Sequence, residues 1–476
     1  MNDLLVETGG IVSVQPLPDV KNPPRILSED DNLKLAKFDS VPDSILFELF
    51  LRLPNGRSAV QCSSVCKRWS SIISSSAFIR TFIHIHDHIC PQSSRPFTLL
   101  FARYDLYHSD DDPFCQVFSE KSKFPYGIMP SVHLNFLPHL RAKKKRKKIL
   151  PYRVAILASF NDLLLATSFE HWLLGARNLG PNFGAKRNYI CNPLTKQWLE
   201  LPEVSVLYIV SGYGLVCEPN SCSKQLGCTS NVRYRVVIIG RAHSNLILGK
   251  TKYFIPQCRK NEFIAQVFCS ETGQWSELVI SYPETAITRS WGTSNLNGLH
   301  IVARNGILYW LEGDPVKGIV AFDPFNDVYK RQCRLISLPV VCFKTASYLD
   351  DVRRERLGLV NGQLRLSQFY EWSTYYVFTV WELKNCDSES PSWVLVYNLK
   401  LNYSKNRVFM LSFHPNNTDV VFLLCGNDIC LYDISMNKYE KVGECPNGVK
   451  FPETDISIDS LLYPSWPTPI PELPCN

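Results

Sequence analysis

Apolar residues between positions 38 and 82 recur at three- and four-residue spacings, which is the period of an amphipathic α-helix. A first helix is predicted with Pro42 in its first turn and Pro54 at its end. Ser40 and Asp43 have the spacing of a capping box at its start. The apolar face of this helix consists of Ile45, Leu46, Leu49, Phe50 and Leu53.

Two further short helices are predicted in the same region. Ser58 has the position of an N-cap, with Gln61 three residues later. The apolar face of this second helix consists of Cys62, Val65, Cys66, Trp69, Ile72 and Ile73. Serines at 74–76 then precede a third helix that carries Phe78 and Phe82. Three short helices bury little apolar surface, so their remaining face is expected to pack against the rest of the chain or a partner.

Beyond residue 96 the pattern becomes that of short strands, in runs such as FTLLFARY (97–104) and YRVAILASF (152–160). One unit recurs: a strand, a turn of Asn, Asp, Thr or Gly, an aromatic residue and a second strand. It occupies residues 189–202, 266–281, 319–339, 378–399 and 429–444, with the aromatic residues Trp198, Trp275, Tyr329, Trp393 and Tyr439. The unit predicts antiparallel sheets repeated around an axis, each buried by its neighbours.

The predicted fold is therefore a small all-α module followed by an all-β domain, a β-propeller of about six blades. A sandwich or barrel is the alternative, although neither explains the recurring unit. Ile456, Ile458 and Leu461 are expected to supply the strand that closes the ring. The predicted divisions are a disordered leader (1–36), the helical module (37–83), the propeller (96–464) with a basic loop (139–150), and a proline-rich tail (465–476).

Composition changes this picture in one place, the basic loop. The net charge is +7, but residues 141–148 alone contain seven basic side chains, so a nucleic-acid surface spread over the whole chain is not expected. A dense block of this kind is typical of a nuclear localisation signal, here Lys143, Lys144, Lys145, Arg146, Lys147 and Lys148. A contact with nucleic acid or an acidic substrate, or a solvated loop, are the alternatives.

The sequence favours a protein of the nucleus, the cytoplasm or both. Asp3 and Glu7 lie where a secretory signal has its basic start and apolar core, and no run reaches the roughly 18 apolar residues of a membrane helix. The 17 cysteines are scattered, as expected of free thiols in a reducing compartment.

No sequence pattern favours a catalytic residue, a cofactor or a metal. The sequence GKT (249–251) has Ser244 where a phosphate-binding loop needs glycine. In HIHDH (84–88), His84, His86 and His88 are expected on the solvent-exposed face of a strand, with metal binding as the less favoured alternative. Blade packing, rather than a ligand cage, is expected of Trp198, Trp275, Trp310, Trp381 and Trp393. The tail is expected to be a strap, a frayed end or a polyproline ligand.

The segments VPDSILFELFLRLP (41–54) and VCKRWSSIISSSAF (65–78) together resemble the F-box. Val41 stands where the family has leucine, and the turn between the two segments is more polar than usual. The resemblance implies docking on an adaptor subunit, through Pro42, Ile45, Leu46, Leu49, Leu53, Pro54, Val65, Cys66, Lys67 and Trp69. An undersized helical module with an exposed apolar face is also what such a site requires.

Segments such as CNPLTKQWLELP (191–202) and RLGLVNGQLRLSQF (356–369) resemble the plant F-box-associated propeller. That propeller is kelch-like in outline. The resemblance implies a non-catalytic substrate receptor of an SCF (cullin-RING) ubiquitin ligase, whose propeller holds a target protein. Adaptor, cullin and RING subunits would be its partners, with nucleic acid and membrane not expected. A propeller-based enzyme or small-molecule binder, and a scaffold that works through the basic loop, are the alternatives.

Overall fold

In the computed structural model, the described residues are 40–89, 95–103, 114–119, 134–138, 152–170, 185–204, 209–218, 233–241, 246–248, 251–253, 262–281, 300–312, 316, 318–326, 333–339, 355–372, 375–388, 390–402, 408–444 and 456–470. The predicted leader, the basic loop and residues 471–476 of the tail lie outside them.

Four helices form the described part of the helical module: α1 (Asp43–Leu51), α2 (Gly56–Ser63), α3 (Lys67–Ile73) and α4 (Ser76–Ile89). Pro42 occupies the N-cap of α1, so Ser40 and Asp43 do not hold the N-cap and N3 positions of the predicted capping box. Its missing N–H and fixed backbone angle suit this position. The helix ends at Leu51, before the predicted stop at Pro54.

The predicted second helix is wrong, because the chain forms two helices there. Asn55, rather than Ser58, caps α2: its Oδ1 accepts a hydrogen bond from the backbone N–H of Ser58 at 2.9 Å. The helix breaks before Cys66, whose Sγ accepts a hydrogen bond from the backbone N–H of Trp69 at 3.4 Å and caps α3. Serine capping of the last helix is confirmed, at Ser75.

The predicted strand at HIHDH is also wrong, since these residues belong to α4. Phe78 and Phe82 are fully buried at helical spacing, and the ring of His86 stacks on Phe82 with 3.9 Å between centroids. His84 and His88 are exposed neighbours one turn apart, with ring centroids 4.6 Å apart. An alternation of only five residues fits either a strand or a helix, and the packing of the preceding helical turns favours the helix.

The strand region begins with β1 (Phe97–Arg103) and β2 (Phe114–Ser119). Blade 1 contains β3 (Tyr152–Phe160), β4 (Leu163–Glu170), β5 (Ala185–Asn192) and β6 (Gln197–Glu200). Blade 2 contains β7 (Ile209–Cys217), β8 (Tyr234–Arg241), β11 (Glu262–Cys269) and β12 (Gln274–Ser281). A separate hairpin of β9 (Leu246–Leu248) and β10 (Thr251–Tyr253) lies between β8 and β11 in the chain.

Three more blades follow in chain order. Blade 3 contains β13 (Val302–Arg304), β14 (Ile307–Glu312), β15 (Gly318–Phe322) and β16 (Arg334–Ser337). Blade 4 contains β17 (Glu355–Val360), β18 (Gln363–Trp372), β19 (Tyr375–Lys384) and β20 (Ser392–Asn402). Blade 5 contains β21 (Val408–Phe413), β22 (Val420–Cys425), β23 (Asp428–Asp433) and β24 (Lys438–Glu444).

The two ends of the strand region meet in blade 6. The last strand, β25 (Ile456–Leu462), pairs antiparallel with β1, and β1 pairs with β2. The inner strands of successive blades are neighbours, in the order β25, β3, β7, β13, β17 and β21. The structure thus confirms the six-bladed propeller and the closing strand, and it excludes the sandwich and the barrel.

The recurring sequence unit corresponds to the two outer strands of a blade. Two of its aromatic residues join neighbouring blades: the indole N–H of Trp275 donates to the Pro202 carbonyl at 2.9 Å, and that of Trp393 to the Ser337 carbonyl at 2.8 Å. Trp310 and Trp381 are buried. These four tryptophans therefore pack the blades, as predicted, while Tyr329 lies outside the described residues.

The ring has two different faces. Since all the strands pair antiparallel, the turn from the first to the second strand and that from the third to the fourth lie on the same face, which we call the tight-turn face. Its short turns are 161–162, 193–196, 270–273, 305–306, 361–362, 385–391, 414–419 and 434–437. Asn161, Asn305 and Asn361 have positive φ there, as such turns favour.

The opposite face, which we call the long-connection face, receives the longer segments between strands. Both ends of each of these segments lie on this face: 171–184, 242–261, 282–301, 338–354 and 445–455. The connections 218–233 and 323–333 are the two long segments with both ends on the tight-turn face among the strands given above. The propeller is therefore asymmetric along its axis.

A buried ion pair lies within blade 4, and its arginine also binds blade 5. The guanidinium of Arg365 donates to Glu382 Oε2 at 2.7 and 2.9 Å and to the Thr418 carbonyl at 2.8 Å. Burial by itself would raise the pKa of Glu382, but hydrogen bonds from Lys384 and Arg365 outweigh it and hold the pKa below its ordinary value of 4.5.

We expect Glu382→Gln to reduce the free energy of unfolding by about 3 kcal/mol at neutral pH, because it leaves the Arg365 guanidinium buried without its counter-charge. Glu200→Gln is the matched control: it breaks the exposed Arg187–Glu200 pair and is expected to cost under about 1 kcal/mol. Urea unfolding measures both.

The pH dependence gives a second check on the same pair. Because the pKa of Glu382 is lower in the folded chain, its contribution is present at neutral pH and is lost as the pH falls below 4.5. The difference between wild type and Glu382→Gln should therefore shrink in acid. Equal losses for the two variants at neutral pH would contradict the assigned role of the buried pair.

Candidate functional site

The helical module has one aromatic core to which all four helices contribute. Phe50 and Trp69 meet edge to face with ring centroids 4.9 Å apart, and Phe47 and Phe78 do so at 5.2 Å. The buried members of this core are Leu46, Phe50, Leu51, Ala59, Ile73, Phe78, Ile79, Phe82 and Trp466. The last of these comes from the tail, so the module is completed by the opposite end of the chain.

Among the described residues of the module, three large apolar side chains are exposed. Ile45 is 51% and Leu49 50% exposed, and they lie one turn apart on the same side of α1. Val65, in the turn before α3, is 64% exposed. We call these three residues the docking surface. Exposed apolar side chains of this size make it the candidate site for protein binding.

An ion pair holds the turn that carries Val65 against the start of α1. Arg68 on α3 pairs with Asp43 at 2.7 Å and also donates to the Val41 carbonyl. The sequence pattern did not single out Arg68, because Asp43 is 25 residues away in the chain and no helical spacing relates them. Arg68 therefore positions one part of the docking surface relative to the other.

The predicted adaptor-binding residues divide into two groups. Leu46 is only 1% exposed, and Trp69 is half-buried against Phe50, so both shape the module from within. Leu53 is half-buried and packs at the edge of the same core. The exposed members are Pro42, Ile45, Leu49, Pro54, Val65, Cys66 and Lys67. The surface available to a partner is thus narrower than the predicted set.

The helical module lies on the tight-turn face of the propeller. Asn416, in the turn between β21 and β22, donates from its amide to the carbonyl of Arg95 in the segment that follows α4. On the neighbouring blade, the backbone N–H of Leu462 donates to the Asn161 carbonyl at 2.9 Å, directly before the tail turns towards the module. The long-connection face points the other way.

The described residues contain no cluster of metal-binding side chains. No group of three or more His, Cys, Asp or Glu side chains among them is arranged to hold a metal ion. Burial raises the pKa of the Cys333 thiol to about 12, which keeps this cysteine protonated and unreactive. None of the four helices is both long and apolar enough to cross a membrane.

Two adjacent residues of α1 test the division between core and surface. We expect Leu46→Ala to destabilise the helical module by about 2–5 kcal/mol, since it opens a cavity in the aromatic core. Ile45→Ala should cost less than about 1 kcal/mol because that side chain is half exposed. Hydrogen exchange in the helices, measured over a range of temperatures, gives the stability of both variants. Equal losses of stability would refute the division between core and surface residues.

Comparison with known proteins gives matches for both the helical module and the propeller. An F-box-like family model matches residues 38–84, which contain the docking surface. F-box protein At5g49610 of Arabidopsis thaliana is 26% identical over 84% of this chain and 90% of its own length. F-box protein At3g28330, from the same plant, is 23% identical over 90% of this chain and 95% of its own length.

The family model described as "F-box protein At3g26010-like, beta-propeller" matches residues 175–443, which run from blade 1 to blade 5. These matches confirm the resemblance of both the helical module and the propeller. The chain belongs to the family of F-box proteins with an At3g26010-like β-propeller.

Proposed function

We propose that this chain is the substrate-recognition subunit of an SCF (cullin-RING) E3 ubiquitin ligase. The observation that carries the proposal is the docking surface: Ile45, Leu49 and Val65 are exposed within the F-box, on a core that holds them in place. Full burial of a side chain of this size contributes about 1.5–3 kcal/mol, and these three have about half of that still to gain. They can therefore anchor a larger interface with an adaptor subunit.

The chain itself carries out no chemical step in this proposal. The adaptor links the F-box to the cullin and RING subunits, and the propeller holds a target protein for ubiquitination and degradation. Holding the target beside the ubiquitin-charged conjugating enzyme raises the local concentration of its lysines. Transfer is therefore accelerated by proximity.

We place the target on the long-connection face of the propeller. The F-box lies on the tight-turn face, so a target bound on the opposite side does not compete with the adaptor for space. The long segments 282–301 and 338–354 also begin and end on that face. Long surface connections on a rigid scaffold are where binding specificity most often resides.

Adaptor capture tests the docking surface. We expect Ile45→Asp/Leu49→Asp to weaken adaptor binding by about 100-fold or more, because each carboxylate would have to lose its water at the interface. Val394→Asp/Leu395→Asp, on the outer strand of blade 4, is the matched control: these side chains are similarly exposed, at 46% and 51%, and the change should leave binding intact.

The measurement is retention of adaptor and cullin by the purified full-length chain. The proposal fails if the wild-type chain retains neither subunit, or if the blade 4 control loses the adaptor as completely as the docking variant. The predicted adaptor-binding residues Leu53 and Pro54 can be changed to alanine in the same assay to find the edge of the docking surface.

We further propose that the basic block directs the protein to the nucleus. Its six residues Lys143, Lys144, Lys145, Arg146, Lys147 and Lys148 lie outside the described residues, and the proposal is supported by their density in the sequence. Changing all six to glutamine should lower the nuclear fraction of a fluorescent fusion several-fold. An unchanged distribution between nucleus and cytoplasm would contradict it.

A further inference from the structure

Residues 465–470 form an extended segment between the propeller and the F-box, which we call the strap. It follows directly on blade 6, where the backbone N–H of Tyr463 donates to the Pro96 carbonyl at 3.0 Å. The entry to β1 and the exit from β25 therefore lie side by side. From there the strap contacts both domains.

One anchor of the strap lies inside the F-box. Trp466 is 8% exposed, and its ring meets those of Phe78 and Phe82 edge to face at centroid distances of 6.1 and 5.4 Å. The helix α2 approaches the strap so closely that a Cβ on Gly56 would lie 2.6 Å from the Ser465 carbonyl oxygen and 2.7 Å from Pro467 Cδ. Only glycine allows this approach without displacing the strap.

The second anchor lies in blade 1, two residues further along. The backbone N–H of Thr468 donates to Asp162 Oδ2 at 2.8 Å, and the Thr468 carbonyl accepts from Asn192 Nδ2 at 2.9 Å. Asn192 Nδ2 also donates to Asp162 Oδ2 at 2.7 Å, and both side chains are fully buried. Ile470 then packs against the apolar core between blades 1 and 2.

A carboxylate on α4 connects the strap to the other segment that crosses between the domains. Asp87 accepts from Arg95 at 2.8 Å and from the hydroxyl of Ser465. The carbonyl of Arg95 in turn accepts from Asn416 of blade 5. The F-box is thus held at two points of the ring, through blade 1 and through blade 5.

The strap matters because the helices themselves make little contact with the blades. Among the described elements, the extensive contacts join helix to helix or strand to strand, and no helix packs extensively on a strand. The orientation of the F-box on the propeller therefore depends on the strap and on the segment at Arg95, rather than on a broad interface between the two domains.

We propose that the strap is a positioning device, with Trp466 as its key residue, which fixes the direction of the F-box relative to the propeller. Its consequence rests on the proposed function: the adaptor would then present the long-connection face in a constant direction to the conjugating enzyme. Loosening the strap would change this direction without altering the docking surface or the target-binding loops.

Gly56→Ala is the decisive variant, because it displaces the strap while it favours helix formation in α2. A chain that ends after Pro464 removes the strap altogether. Gln61→Ala is the matched control, since it places alanine at an exposed position of the same helix. Trp466→Phe keeps an aromatic ring in the pocket and should behave nearly as wild type.

Two measurements on the full chain test the proposal. Gly56→Ala and the truncated chain should give a larger radius of gyration in solution scattering than wild type and Gln61→Ala. In Gly56→Ala, exchange of the amide hydrogens near Thr468 or Phe82 should accelerate by about tenfold or more. In the truncated chain, exchange near Phe82 should do so, and in both variants the strands of blades 2 to 5 should exchange as before. If both variants have the radius of gyration and the exchange rates of the wild type, the proposal is overturned.

Adaptor binding separates this inference from the proposed function. Gly56→Ala should retain the adaptor with wild-type affinity, because Ile45, Leu49 and Val65 are untouched. If the wild-type chain itself fails to bind adaptor, the ligase proposal fails while the scattering result still decides the role of the strap. Loss of adaptor by Gly56→Ala alone would show that the strap maintains the F-box itself and would overturn its assignment as a positioning device.

Discussion

The pairing of β25 with β1 is the contact on which the rest of this structure depends. Each blade buries its apolar surface only against its two neighbours, so an open ring would leave the faces of blades 1 and 5 uncovered. Seven residue pairs, from Phe97 with Leu462 to Arg103 with Ile456, close it. The residues joined are more than 350 positions apart in the chain, and their pairing is costly in conformational entropy until the other blades have formed.

Closure also decides where the two ends of the propeller emerge. Because β25 ends and β1 begins on the same face, the F-box that precedes β1 and the strap that follows β25 are brought together. Trp466 then reaches the core of the F-box, and Thr468 reaches the buried pair of Asp162 and Asn192. One topological event thus completes the propeller, finishes the core of the F-box and places the F-box on the side opposite the long-connection face.

Local patterns predicted the parts of the molecule that depend on neighbours in the chain. The recurring unit with Trp275 and Trp393 located the outer strands, and the apolar residues of β25 located the closing strand. Contacts between distant residues were beyond such patterns. Ile45 and Leu46 are equally apolar, and the packing of α3 and α4 against α1 decides that one is exposed and the other buried. The partners of Trp466, Phe78 and Phe82, lie far away in the sequence.

Hydrogen exchange of the full-length chain, with and without the adaptor subunit, shows which surface the adaptor covers. We expect adaptor to slow exchange in α1, which carries Ile45 and Leu49, and in the turn at Val65, while the strands of the propeller exchange at unchanged rates. Unchanged exchange in α1, or protection confined to the propeller, would contradict the claim that the F-box is the adaptor-binding surface of this chain.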